Sequence, residues 1–294
     1  MRSLAVLLAT AVFAACSPRE IADPTPQPRT ATATAPATAM ATSTVPVGPT
    51  ATPANTRLPT ATATATPIPH LQFDVDESVP ANERGLISIG IRLADEYAEA
   101  ELGGAVERPI LIQVATEGVC IGGASAVGYR ICFNASSPNW LALEPDYLKL
   151  KIASHEYFHV WQHELFCYRE PKWLFEGLAE WFGYRVIVEE GLVEQAVASA
   201  ARQQVLQGAP ILEPLADQEV LYAAPQPNQY ALWSFAAERL MVRHSAGAIR
   251  GFCAGNREGL RWQEAFEDAF GEPVDDFYAS FEEWRAGFLP YSAP

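Results

Sequence analysis

The stretch from residue 17 to residue 70 decides how much of this chain can fold. Its middle, "TATATAPATAMATSTVPVGPTATPANT", repeats threonine, alanine and proline with almost no large apolar side chains, and 11 of the chain's 23 prolines lie between Pro18 and Pro69. Such a segment cannot bury enough surface to offset its chain entropy, so it is expected to stay disordered and extended. In polyproline II its reach is on the order of 100 Å. A folded core must therefore come from residues 71–294, which is long enough to build one.

The residues ahead of this linker read as an export signal. In "MRSLAVLLATAVFAAC", Arg2 supplies a short positive start, and Leu4 to Ala15 form an apolar run too short to span a bilayer. The run ends in small residues at Cys16, as a bacterial lipoprotein signal does, with Phe13 where leucine is usual. The alternative is an ordinary secretory signal cleaved nearby. The expected organisation is a signal peptide at 1–16, lipidation at Cys16, a linker at 17–70, and one domain at 71–294. The expected location is the bacterial cell surface or another extracytoplasmic site, with the membrane touched only through the lipid anchor.

Setting aside Arg2 and the linker's Arg19, Arg29, Arg57, Glu20 and Asp23 leaves 16 basic and 33 acidic residues, a net charge of −17. That acidity excludes nucleic acid and anionic lipid as natural partners, since both need basic patches. Four cysteines follow Cys16, and an even count in an exported domain permits two disulfides. Cys120 and Cys132 would fit a hairpin, while Cys167 with Cys253 would tie distant parts of the chain together. Four buried thiols are the alternative; a cysteine-ligated metal is disfavoured because no CxxC pair occurs.

Along the domain, Ala81 to Leu102 carries a helical apolar stripe. Pro109 introduces "ILIQVA", a short β-rich run; glycines around 118–128 read as a turn, and "GYRICFNA" as a second strand. Helices follow over Asp146–Cys167, from Pro171 through "KWLFEGLAEWFGYRVIVEEG", over Leu192–Gln207, over Asn228–His244, and in short pieces to the end. The expectation is an α+β domain, with a small mixed sheet and hairpin first and helices segregated after it.

"SHEYFHVWQHEL", residues 154–165, holds three of the chain's five histidines. His155, Glu156 and His159 spell HExxH. On a helix the two imidazoles share one face and can reach one ion, with Glu156 beside them to take a proton from water at the metal. Zinc suits two neutral imidazoles and a carboxylate. A chance match on an exposed helix is the plain alternative. His163 is excluded as the third ligand, because His155 and His163 are ~12 Å apart along a straight helix. A better source is "WLFEGLAEWF", where Glu176 and Glu180 stand one turn apart on an otherwise apolar element. A carboxylate there is costly unless paired or bound to a metal, or unless both simply face water.

HExxH followed by W-L-x-E-G-x-A-E resembles the gluzincin zinc metallopeptidases, the group containing thermolysin and the aminopeptidase N family. The resemblance implies a zincin-like catalytic fold and a Zn2+ cofactor. It makes Glu176 the third metal ligand and Glu180 the carboxylate that orients His155. In "NQYALWSFAAERL", Tyr230 matches the tyrosine that stabilises the oxyanion in aminopeptidase N-type enzymes; a helix-start tyrosine packing its ring is the alternative. The C-terminal "RWQEAFEDAFGEPVDDFYASFEEWRAGF" is similar to the helical tail of bacterial peptidase-like gluzincins.

The resemblance covers roughly 109–290, with its specific motifs confined to 155–180 and Tyr230. Sixteen residues separate His159 from Glu176, fewer than in aminopeptidase N-type enzymes, and Phe175 stands where those usually have asparagine. No GxMEN-like segment precedes the site, which leaves endo or exo cleavage open. A substrate backbone is expected to pair along Ile131–Ala135. The expected activity is hydrolysis of a peptide or protein substrate by a monomeric surface zinc enzyme. The alternative is a catalytically inactive binding or structural protein that keeps the fold.

Overall fold

The computed structural model describes residues 68–116, 120, 123–167, 170–207, 212–220 and 225–288. Cys16, the signal segment and linker residues 17–67 lie outside the described residues.

The domain opens with β1 (Leu71–Val75), crosses through α1 (Ala81–Glu101), and returns as β2 (Ile110–Ala115), which pairs parallel with β1 in the register Leu71↔Ile110. Two parallel strands need such a crossover, and α1 supplies it. β2 also pairs parallel with β4 (Arg130–Asn134), and β3 (Ala124–Val127) pairs antiparallel with β4, giving the order β1-β2-β4-β3. The β3–β4 hairpin turns through two residues, Gly128 and Tyr129. Gly128 has φ 61°, a conformation open to glycine. The Cys120–Cys132 disulfide ties the hairpin together.

The fold is therefore α+β with a mixed sheet. Three details differ from expectation. The stretch that reads as a glycine turn contains strand β3, whose small residues pack because β4 and a disulfide hold them. Helix α1 lies between strands, so sheet and helices do not segregate along the chain. The Ile131–Ala135 segment is flanked on both sides, by β2 and β3, and Ala135 N–H bonds Ala115 O, so its edges cannot receive a peptide.

Helices α2 (Pro138–Leu141), α3 (Tyr147–Glu164), α4 (Lys172–Glu189), α5 (Gln195–Gln207), α6 (Pro227–Arg243), α7 (Ala246–Arg257), α8 (Trp262–Phe270) and α9 (Val274–Phe288) complete the described elements, with a 3-10 turn at Leu215–Gln218. Helix α3 is buried nearly all round, so it runs through the middle of the domain instead of over its surface. It is approached closely from two sides. A methyl added to Gly90 of α1 would lie 2.7 Å from the Ala153 Cβ, and one on Gly183 of α4 would lie 2.6 Å from the Lys151 carbonyl oxygen. Only glycine lets α4 come this near, and that approach positions the site. Trp140, Trp161, Trp173 and Trp233 are the largest fully buried side chains of the core. The indoles of Trp173 and Trp233 donate to the Tyr278 hydroxyl and Gln218 Oε1, so burial leaves neither N–H unpaired. The second disulfide, Cys167–Cys253, joins the end of α3 to α7. No helix among the described residues is long and apolar enough to cross a membrane.

Candidate metal centre

His155 and His159 project from one face of α3 with their Nε2 atoms 3.0 Å apart. Glu176, on the neighbouring face of α4, brings Oε2 to 3.5 Å from His155 Nε2 and 3.3 Å from His159 Nε2. A tetrahedral zinc ion with bonds of ~2.0–2.1 Å holds its donor atoms roughly 3.4 Å from one another. The three observed separations match that triangle, and these residues form the group able to hold a metal among the described residues.

The outer nitrogens decide what the inner ones can do. His155 Nδ1 lies 3.0 Å from Glu180 Oε2, and a carboxylate can only accept, so Nδ1 carries the proton. His159 Nδ1 lies 2.8 Å from Gln162 Oε1, while the Gln162 amide nitrogen donates to the Phe175 carbonyl at 2.9 Å. That commitment orients the amide so that His159 Nδ1 is also the protonated nitrogen. Both Nε2 atoms then face each other and a carboxylate oxygen. Three electron-pair donors so close repel unless a proton or a metal cation sits among them. The donor set therefore fits a divalent metal, with the outer partners holding each ring in its ligating tautomer.

Electrostatics follow the same geometry. Burial opposes charge on His155, but Glu176 and Glu180 outweigh it and lift the imidazole pKa to about 9, so without a metal a proton occupies the Nε2 position that a bound cation would take. Burial likewise opposes charge on the two carboxylates. His159, His155 and Lys172 nevertheless hold Glu176 well below the usual range, and Lys151 with His155 holds Glu180 down at about 2. Glu156 differs: burial raises its pKa against the pull of His155 and His159, which makes it the most basic carboxylate of the cluster.

The donors open into a cleft lined by the β3 segment Gly123–Gly128, by Glu156, His163, Cys167, Lys172 and Phe175, and by Tyr230. Tyr230 stands in the first turn of α6, its ring centroid 6.0 Å from that of His155. His163 is exposed on the cleft wall, packed edge-on against Tyr129 at 4.9 Å and outside the three-donor group. Glu164 accepts from the Tyr129 hydroxyl at 2.6 Å.

Three residues at this site carry no signal in the sequence reading. Gln162 holds His159, Lys151 caps Glu180 at 2.6 Å, and Lys172 caps Glu176 at 2.5 Å. Spacing could have found two of them: Gln162 follows His159 by three residues and Lys172 precedes Glu176 by four, whereas Lys151 meets Glu180 only across the helices. Phe175 explains Gln162 further. Its ring stacks on His159 at 4.8 Å and offers no acceptor, so Gln162 from α3 donates its amide N–H to the Phe175 carbonyl and accepts from His159 Nδ1 through Oε1.

Compared with known proteins, the chain matches no family model and no curated protein sequence.

Proposed function

We propose that this protein is an exported zinc-dependent peptidase of the gluzincin type, with His155, His159 and Glu176 as the metal ligands. The observation that carries this reading is the convergence of three lone-pair donors whose outer partners commit both imidazoles to ligation. When bound there, zinc supplies a Lewis acid that acidifies water and polarises a carbonyl.

The chain's own residues supply the rest. Glu156, buried and made more basic by that burial, accepts the proton of the attacking water and returns it to the leaving amine. Tyr230 donates a hydrogen bond to the oxyanion. Glu180 and Gln162 keep the imidazoles in place. Strand β3 is the end strand of the sheet and lines the cleft; among the described residues no strand pairs with its other side. An extended substrate backbone can pair along that edge, which makes β3 the better candidate than the inner strand β4. Export suits the two disulfides, which need an oxidising compartment. Lipidation at Cys16 with a 17–70 stalk would hold the domain off the membrane.

The test is metal analysis of the purified chain followed by a chelator-sensitive cleavage assay on a mixed peptide library. One zinc per chain, with cleavage abolished by chelation and restored by zinc, is the expected result. Absence of stoichiometric zinc overturns the metal assignment. Zinc without cleavage overturns the peptidase reading and favours a surface binding protein.

A further inference from the structure

Lys172 sits where local rules disfavour it. It is the first residue of α4, where the positive end of the helix dipole repels a cation, and no side chain caps that end. Its partner Glu176 follows it by four residues, the weaker order for an ion pair on a helix. A lysine placed against both preferences has a reason outside α4's own stability.

The geometry supplies one. Lys172 Nζ binds Oε1 of Glu176 at 2.5 Å, while Oε2 of the same carboxylate faces His155 and His159. A glutamate reaches its target through three rotatable bonds, and a carboxylate with both oxygens free can turn either one inward. With Oε1 tethered, the carboxylate presents a single oxygen at one place. Lys151 stands in the same relation to Glu180: its Nζ takes Oε1 at 2.6 Å, and Oε2 is left for His155 Nδ1. Glu176 and Glu180 thus each spend one oxygen on a lysine and one on the histidines.

We propose that Lys172 is a positioning residue of the metal centre, tethering one oxygen of Glu176 so that the other is held at the ligating position. The proposal rests on the zinc-centre reading above. Lys172 is a quarter exposed, so shortening or neutralising it leaves the core packing intact.

The experiment measures zinc affinity of the full chain by competition with a chromophoric chelator, for the natural protein, Lys172→Met and Lys172→Arg. Thermal unfolding of each metal-free form shows that the fold is kept. Loss of a group that orients a ligand weakens metal binding about 10–100-fold, so Lys172→Met is expected to fall in that range. Lys172→Arg, which keeps the donor and the charge, is expected to restore most of the affinity. Unchanged affinity in Lys172→Met overturns the proposal. So does tighter binding, since a lysine acting only as a neighbouring positive charge would repel zinc and its removal would strengthen binding. Should the methionine variant not fold, Lys172→Gln is read in the same way. Failure of the natural protein to bind zinc is a different outcome: it removes the metal-centre reading itself, and with it this proposal.

Discussion

Gln162 Oε1 lies 2.8 Å from Nδ1 of His159, three residues earlier on the same helix. His155, one turn before His159, instead leans on Glu180 from the neighbouring helix. One imidazole is therefore held by a neutral amide within α3, and the other by a charged carboxylate whose position depends on how α3 and α4 pack. The amide is itself oriented by the Phe175 carbonyl, so a single side chain links the histidine face of α3 to the turn of α4 that precedes Glu176.

Replacing Gln162 with leucine is expected to weaken zinc binding roughly 10–100-fold. It also leaves the His159 N–H without its acceptor in a part-buried site, a cost of about 1–3 kcal/mol. Chelator competition and urea unfolding of the metal-free protein read the two effects separately. Natural zinc affinity in this variant would remove Gln162 from the site.

Glu156→Gln keeps the shape of the carboxylate but cannot accept a proton. It should bind one zinc per chain while kcat falls on the order of 10²–10⁴-fold. His159→Ala, by contrast, should lose both metal and turnover. Near-natural hydrolysis by Glu156→Gln would rule out Glu156 as the base.

Tyr230→Phe removes only the hydroxyl. If that hydroxyl serves the oxyanion, kcat should drop by roughly 10²–10³-fold, with KM and zinc content nearly unchanged. A change confined to KM would place Tyr230 in substrate binding instead.

Gly183→Ala pushes a methyl to 2.6 Å from the Lys151 carbonyl oxygen. Neither backbone can yield without moving a helix, so stability should fall by about 1–3 kcal/mol. Because Lys151 and Gly183 sit at the same α3–α4 contact that brings Glu176 and Glu180 to the histidines, zinc affinity should fall with it. Loss of stability with full zinc affinity would show that the spacing here does not govern the site.

The two disulfides should differ in worth. Cys167–Cys253 spans a sequence separation of 86 and Cys120–Cys132 one of 12. Loop entropy predicts ~4–5 kcal/mol for the first and ~3 kcal/mol for the second. Denaturant unfolding of the paired serine variants measures the difference. An equal or larger loss from the short loop would mean that chain entropy is not the main contribution.

Much of the candidate site is legible in the sequence because its pieces are local. The i, i+4 spacing of His155 and His159, and of Glu176 and Glu180, sets each pair on one face of its own helix whatever else the chain does. The amphipathic segments of α1 and α6 are legible for the same reason. What escapes is non-local. Strand β3 is only Ala-Ser-Ala-Val between Gly123 and Gly128, a stretch that by composition reads as a turn; its pairing depends on β4 and on a disulfide. The short β1 does carry a signal, the alternation of Leu71-Gln72-Phe73-Asp74-Val75 between prolines, but at five residues it forms only by pairing with β2, some forty residues later. Lys151 looks like an ordinary polar helix residue until α4 brings Glu180 to it, whereas Gln162 and Lys172 touch partners on their own helices and are open to a spacing argument.

The sequence by itself determined the kinds of donor and their spacing along two helices: two imidazoles a turn apart, a carboxylate beside them, and two more a turn apart further on. The resemblance implies separate roles for Glu176 and Glu180; only the tertiary structure decided how each carboxylate meets the imidazoles in those roles and which strand edge borders the cleft. Those roles depend on the distance between α3 and α4, set by Gly183 against Lys151. A contact between residues thirty-two apart in the chain leaves no periodic trace in either helix.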